Sequence, residues 1–392
     1  MRTLLQKLDG YRRLGIHEWK MSRQRACERK KQFVFDGWLR NLINTPPEVL
    51  VGPNFAEFGG VRHHIEAISR YSSRNVQLVP PADIAKTLTP YDLAEFFGEQ
   101  FNDYKATGVK IVHSHVYPWY IDWCQRRQRD GIFWIHTYHL NYYHEHGVNG
   151  LEKWQLDINR ALLERARHAD LCLSVSKWQV EELKRQHGID AIYLPNGVDV
   201  GLSKRADAER FRRDYPGAGF ILYVGRNDPV KNPQEFVRLA AQLPSHRFVM
   251  VGGGLSRESL QEECEIEIPR NLEIIGGLSQ QRVQDAIAAC DVLVVTSKRE
   301  GLPTLVLEGM ALARPIVVPN ELGCMEAIGQ GEAGLIYQLG NIDSLAEKTL
   351  AARENKSIVQ AARKRVMSEY DWRVVIKQID KIYAEARKSG QC

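Results

Sequence analysis

From residue 48 onward, short apolar runs rich in Val, Ile and Leu alternate with stretches of helical periodicity. The first series is EVLVGPN (48–54), KIVHSHV (110–116), GIFWIHTYH (131–139), LCLSVS (171–176) and AIYLPNG (191–197). A second series follows: FILYVGR (220–226), HRFVMVGGG (246–254), LEIIGG (272–277), DVLVVTS (291–297), RPIVVPN (314–320) and AGLIY (333–337). Strands buried on both faces of a parallel sheet read as continuous apolar runs, and the helices between them supply the crossovers. Two such series predict an α/β protein with two doubly wound parallel-sheet domains, divided near residues 200–218 where the chain turns polar. The last helix, DWRVVIKQIDKIYAEARK (371–388), carries an apolar stripe at Trp372, Val375, Ile376, Ile379, Ile382 and Tyr383. Periodicity alone does not say which domain covers that stripe.

Composition adds the bounds. A chain of 392 residues exceeds one ordinary core, which agrees with two domains. No apolar run approaches the roughly 18–20 residues of a bilayer span, and MRTLLQKLDGYRR is interrupted by charge from its start, unlike a signal peptide. Seven cysteines without CxxC spacing are expected to be free thiols in a reducing cytoplasm. The net charge of +5 is unevenly placed: residues 1–47 hold eleven basic and four acidic side chains, so the rest of the chain is slightly acidic. A nucleic-acid binder would carry its basic patch on the folded body, so nucleic acid is not expected as a partner.

In doubly wound folds, ligands bind outside the carboxyl ends of the strands. Gly59-Gly60, His139, Gly225-Arg226 and Glu300 fall there. In SKREGLPTLVLEGM, Glu300 precedes a helix and Glu308 lies in its second turn. Pro303 suits the first helical turn, Gly301 lets backbone approach a ligand, and the free N–H groups at the helix start suit an anion. One reading gives Glu308 a ribose diol and Glu300 the hydroxyls of a second sugar, with phosphates between them. The other leaves Glu300 solvated and Glu308 merely inside a helix, and spacing alone keeps both open. In VGRNDPVKNPQEF, Arg226 and Lys231 follow a strand and suit a diphosphate, or are plain surface cations. In VGPNFAEFGGVRHHIEAIS, Gly59-Gly60 separate a strand from a helix without forming G-x-G-x-x-G. His63 and His64 read as packing or solvated residues, as do His136, His144 and His146. His139, at a strand end, is the better functional candidate, and no metal-ligand pattern accompanies these histidines.

Taken together, these stretches resemble the retaining GT-B glycosyltransferases of family 4, from about Glu48 to the C-terminus. REGLPTLVLEGMALARPIVV matches the E-x7-E signature through Glu300 and Glu308, and VGRNDPVKNP matches the Gly-Arg…Lys phosphate motif. FGGVRHHI matches the N-terminal glycine loop, HTYH the threonine–histidine element, and LPNGVD (194–199) the hinge-side element. The resemblance implies a GT-B fold: two Rossmann-like domains facing across a cleft. The acceptor side would be 48–205, the nucleotide-sugar side 206–370, and the helix 371–388 would cross back to the first. Arg226 and Lys231 would hold the diphosphate and Glu308 the ribose. Glu300, with Gly301, Leu302 and Pro303 beside it, would hold the donor sugar, and Gly253 would lie near the base. Gly59, Gly60 and His139 would close over the transferred sugar. His139, Glu300, Arg226 and Lys231 are thus the expected catalytic set.

The implied reaction moves a sugar, with retention, from a UDP- or GDP-sugar to a hydroxyl on a glycan, lipid-linked or small-molecule acceptor. Glycan, glycolipid or surface-polysaccharide synthesis is the implied setting. No cofactor and no metal is expected, since Arg226, Lys231 and the helix start could replace a divalent ion and no DxD lies near. The chain departs from the family at LGC (322–324), where Cys324 stands in place of a common second glycine. Two alternatives stay open: a GT-B sugar-nucleotide epimerase and a non-catalytic sugar-nucleotide-binding subunit. Residues 1–47 form a basic extension in which Phe35, Trp38, Leu39, Leu42 and Ile43 make one helical face. That face would either dock on anionic lipid at the inner face of the membrane, or pack on its own domain or on another copy.

Overall fold

The computed structural model describes residues 32–54, 59–85, 98–264 and 267–389. It contains two six-stranded, wholly parallel sheets. The first comprises β1 (Val49–Gly52), β2 (Val76–Leu78), β3 (Ile111–Ser114), β4 (Phe133–Tyr138), β5 (Leu171–Ser174) and β6 (Ile192–Tyr193), ordered 2-1-3-4-5-6. The second comprises β7 (Phe220–Val224), β8 (Arg247–Val251), β9 (Leu272–Ile275), β10 (Val292–Val294), β11 (Ile316–Pro319) and β12 (Leu335–Tyr337), ordered 12-11-10-7-8-9. The apolar runs of the sequence are the strands, with one addition. β2 is a three-residue edge strand with only Leu78 buried, too short and too polar to stand out as a run.

Each sheet is covered on both faces. Leu50, Val112, Trp134 and Cys172 face one core of the first sheet, while Val49, Val51, Ile111 and Ile135 face the other. The alternation follows from the period of two along a strand. A helix over 32–44 (α1) places Phe35, Trp38 and Leu42 in the first of these cores, where Trp38 stacks on Phe101 at 5.6 Å. Most of the apolar face expected on that helix is therefore covered by the chain itself, although Ile43 remains 59% exposed.

α2 (Gly60–Tyr71) follows β1 and buries Ile65, Ala67 and Ile68. α3 (Lys177–His187) follows β5. In the second half, α4 (Pro233–Gln242) follows β7 and α5 (Thr304–Ala311) follows β10. α6 (Leu322–Ala327) is a short helix after β11. The last helix, α7 (Trp372–Ser389), packs on the first sheet through Trp372, Val375, Ile376, Ile379 and Tyr383, against Val49, Val51, Ile65 and Ile68. Full burial of such a side chain is worth about 1.5–3 kcal/mol, so this stripe ties the last helix firmly to the first half.

The chain passes between halves twice, side by side. Val198 N–H donates to Tyr370 O at 2.8 Å and Trp372 N–H to Val198 O at 3.1 Å. Gly197 is needed at that crossing, because a Cβ there would lie 2.6 Å from the Trp372 ring. This gives a physical reason for the glycine of LPNGVD.

Candidate active site

In a doubly wound sheet, a crevice opens where neighbouring strands send their connections in opposite directions. In the second sheet that point lies between β7 and β10. The loop after β7 carries Arg226 and Lys231, and the loop after β10 carries Glu300 to Pro303. The two loops are knitted together: Thr296 Oγ1 donates to Lys231 O at 2.8 Å and Asn232 O at 2.9 Å, and Lys298 N–H donates to Val230 O at 2.8 Å. Across the crevice Lys231 Nζ reaches Glu300 Oε1 at 2.6 Å, with side chains 30% and 13% exposed. Arg226 stays apart from that pair. It is 65% exposed and pairs with Asp228 at 3.1 Å. Gly253 adjoins the same loop, since Asn227 N–H donates to Gly253 O at 3.0 Å.

Glu308 sits in the second turn of α5 and is buried. Burial raises its pKa to about 7, with no neighbouring charge to offset it. A buried carboxyl poised near neutrality is a common mark of a site awaiting a polar partner. Pro303 lies one residue outside the helix, at its N-cap, instead of inside the first turn.

The first half faces this crevice from its own switch point, between β1 and β3. Gly59 is the N-cap of α2 and Gly60 its first residue. A Cβ built on Gly60 would lie 3.4 Å from Thr304 Cγ2, so the glycine loop meets the start of α5. His139 follows β4. Its carbonyl lies so close to Gly301 that a Cβ on Gly301 would drive into the oxygen. Lys231, Glu300, Gly301 and His139 are thus brought into one chain of contacts, with Gly60 beside the helix start. Leu302 is buried there, its carbonyl accepting from Asn196 Nδ2 at 2.9 Å.

His139 belongs to a buried group of imidazoles. Its Nε2 lies 2.9 Å from His115 Nδ1, and its ring centroid lies 5.0 Å from that of His64. His64 Nδ1 pairs with Asn196 Oδ1 at 3.0 Å. His113 bridges Tyr383 Oη and Thr137 Oγ1 at 2.7 Å each, and His136 Nδ1 meets Ser114 Oγ at 2.8 Å. Burial first, then mutual repulsion, holds His139 and His115 well below the ordinary imidazole value. Burial lowers His64 to about 4 and His136 to about 3. The rings are therefore neutral at pH 7, and His139 can serve a ligand by hydrogen bonding, not as a cation. Among the described residues no cluster of ligating side chains suits a metal ion. His144 is exposed, while His146 Nδ1 accepts from Tyr143 N–H at 3.0 Å.

Several contributors carry no sequence signal. Trp178 Nε1 donates to Gly301 O at 2.9 Å, and Glu326 accepts from the Lys177 and Trp178 N–H groups at 2.9 and 3.1 Å. Arg299 reaches Glu145. Glu321 caps α6 by accepting from Cys324 N–H at 3.0 Å, and burial raises its pKa to about 7. The LGC stretch now has a reason: Gly323 touches the carbonyls of Glu300 and Gly301, where no Cβ would fit, while Cys324 is buried.

Residues 206–370 match the family Glycosyl transferases group 1, and residues 58–202 match Glycosyltransferase Family 4. The phosphatidyl-myo-inositol mannosyltransferase of Mycolicibacterium smegmatis is 27% identical over 225 residues, covering 55% of this chain and 56% of that protein. The chain thus aligns with little more than half of that relative's length. The D-inositol 3-phosphate glycosyltransferase of Corynebacterium efficiens is 24% identical over 80% of both chains. Among solved structures, Anabaena HepE in complex with UDP and glucose superposes with a TM-score of 0.70 at 16% identity, covering 86% of this chain and 100% of that one. Sucrose-phosphate synthase from Thermosynechococcus elongatus gives 0.69 at 20% identity, over 87% and 99%. With both halves matched in order and the paired parallel sheets in place, the chain belongs to the glycosyl transferases group 1 family and has the GT-B fold.

Proposed function

We propose that this chain transfers a sugar, with retention at the anomeric carbon, from a nucleotide-diphosphate sugar to a hydroxyl acceptor. In this reading the half at 48–205 receives the acceptor and the half at 206–370 binds the donor. The observation that carries it is the Lys231–Glu300 pair at the switch point of the second sheet, closed over by His139 and Gly60 from the first. The described structures of HepE with UDP and with UDP-glucose support a donor of the same chemical class.

The residues divide the task. Lys231 and Arg226 hold the diphosphate by charge-assisted hydrogen bonds, each worth roughly 1.5–3 kcal/mol. The free N–H groups at the start of α5 add favourable partial charge. Glu308 accepts from the ribose, and Glu300 exchanges its bond with Lys231 for the hydroxyls of the donor sugar. Gly253 lies beside the base, and His139 offers a neutral nitrogen to the transferred sugar. As the glycosidic bond breaks, negative charge grows on the leaving diphosphate, where fixed cations stabilise it more than in the ground state. The departing phosphate oxygen takes the acceptor proton on the same face, and no protein nucleophile is required. This differs from the two-carboxylate covalent route of retaining glycosidases.

On this reading the reaction needs no divalent metal. The acceptor is a glycan, a lipid-linked sugar or a small molecule. Among the described residues no helix is long and apolar enough to cross a membrane. A thermal-shift panel of UDP-, GDP- and ADP-sugars identifies the donor, since a ligand at 100 times its dissociation constant stabilises by about 2.7 kcal/mol. Anomeric NMR of the product then tests retention. An epimerised nucleotide sugar as product would overturn transfer, and turnover abolished by EDTA and restored by Mn²⁺ would overturn metal independence.

A further inference from the structure

Arg299 immediately precedes Glu300, yet it points the other way, onto the first half of the molecule. Its Nη2 donates to Glu145 Oε1 at 2.9 Å, with side chains 23% and 16% exposed. Its guanidinium carbon lies 4.7 Å from the Tyr143 ring centroid and 5.9 Å from that of Trp178. Trp178 then donates from Nε1 to Gly301 O at 2.9 Å, two residues further along the same loop. A planar guanidinium can ion-pair in its own plane and stack on rings with its faces, which an ammonium cannot do.

The receiving surface is rigid. The Tyr143 hydroxyl is held by Glu182, and Tyr143 N–H is held by His146 Nδ1. Tyr142 exchanges hydrogen bonds with the Asn159 amide at 2.8 and 2.7 Å. The start of α3, which carries Trp178, is fixed by Glu326 from the second half. Arg299 and the Gly301 carbonyl are thus gripped at two points by side chains of the first half. The segment between these grips contains Glu300.

We propose that Arg299 and Trp178 are positioning residues for sugar transfer: a clasp across the cleft that sets Glu300 to Leu302 where the donor sugar meets them. The inference rests on the transferase reading above. It also separates two sets of contacts. The diphosphate and nucleoside contacts at Arg226, Lys231, Gly253 and Glu308 all lie in the second half. They form whether or not the clasp is closed. The sugar contacts at Glu300 and Gly301 form in full only when the first half grips the loop. Closure and chemistry are therefore linked through one arginine.

The test uses the full chain with Arg299→Ala, Trp178→Phe and Arg299→Lys. Affinities for UDP and GDP are read by calorimetry, and turnover by nucleotide release from UDP-glucose and GDP-mannose. The expected result is a kcat about 10- to 100-fold lower in Arg299→Ala and Trp178→Phe, the scale of a small misplacement of a reacting group. Nucleoside-diphosphate affinity stays within about 3-fold in both, the loop's contribution to it being small. Arg299→Lys, which keeps the charge, recovers part of the loss. Unchanged kcat in both Arg299→Ala and Trp178→Phe overturns the clasp, as does diphosphate affinity falling in step with kcat. Wild-type protein that neither binds UDP or GDP nor consumes either donor brings down the transferase reading itself, and the clasp with it.

Discussion

Lys231 Nζ lies 2.6 Å from Glu300 Oε1, joining the loops that leave β7 and β10. Within this pair each charge neutralises the other. On the proposed reading, an arriving diphosphate would draw Lys231 toward itself and release Glu300 to accept from sugar hydroxyls. Lys231→Ala removes one charge-assisted contact to phosphate and leaves Glu300 without its partner. Affinity for the nucleoside diphosphate should fall about 10- to 100-fold, the equivalent of roughly 1.5–3 kcal/mol. Turnover should fall further, because the leaving group gains charge in the transition state. Calorimetry and single-turnover kinetics check both. Unaltered affinity would remove Lys231 from the phosphate site.

Glu308 offers a test based on protons. Its folded-state pKa is raised from 4.5 to about 7 by burial. For a carboxyl raised in this way, the native state binds more protons than the unfolded chain between these two values. Its contribution is fully present below 4.5 and is lost as pH rises through 7. Glu308→Gln should therefore stabilise the empty protein more at pH 8 than at pH 5, by about 1–3 kcal/mol. Ribose hydroxyls donating to the carboxylate would favour its charged form and lower its pKa. Nucleotide binding at pH 7 should then release roughly half a proton, and binding should tighten from pH 5 to pH 7. Calorimetry in buffers of different ionisation enthalpy measures that release. The release should vanish in Glu308→Gln, and no release in the wild type would place the ribose elsewhere.

The sequence made these strands and these two loops legible because burial on both faces leaves a continuous apolar run, as in DVLVVTS before Glu300. It did not show β2, whose three residues line an edge and need only Leu78 buried. Strand order is also invisible in a linear pattern. Nothing in the chain says that β7 and β10 are neighbours, so the approach of Lys231 to Glu300 could be inferred only from resemblance. The contacts of Arg299 with Glu145, and of Asn196 with His64 and Leu302, join residues more than a hundred positions apart. The partners of His113 and His115, Tyr383 and His139, likewise come from other elements. Their own spacing of two puts the rings on one face, 4.6 Å apart between centroids, but the rest of the group is set by the fold.

Gly301 offers a geometric test of closure. Its neighbour across the cleft is the backbone carbonyl of His139, which cannot rotate away as a side chain could. Gly301→Ala must therefore move the loop or part the halves. Relief of such a contact typically costs 1–3 kcal/mol of packing, which falls here on the interface and not on either core. The expected outcome is a larger radius of gyration in small-angle scattering with donor bound. Turnover should fall about 100-fold, while unfolding of the separate cores changes little. A variant with wild-type scattering and turnover would show that the close approach is not kept in the working enzyme.

Five buried imidazoles of the first half predict a steep acid limit. His64 titrates near 4 and His136 near 3, and His113, His115 and His139 lie well below their ordinary 6.5. Because each folded pKa is depressed, the unfolded chain binds more protons than the native one below pH 6.5. Stability therefore falls with pH, by up to about 1.4 kcal/mol per unit for each ring. Glu308 and Glu321 act in the opposite direction between 7 and 4.5, since burial keeps them protonated in the fold. Among these seven groups, five rings against two carboxyls give a slope of up to roughly three protons between pH 6.5 and 4.5; the lowered His63 and His146 and the raised Glu235, Glu326 and Asp122 act against one another. Against a total stability of about 5–15 kcal/mol, that slope brings unfolding within reach near pH 5. Urea titrations at half-unit steps measure the slope. His136→Gln, which keeps a polar group for Ser114, should lower it by about one proton. A slope below one proton would mean that the rings take up charge inside the folded chain. The neutral hydrogen bond drawn from His139 to the transferred sugar would then have to be replaced by a cationic one.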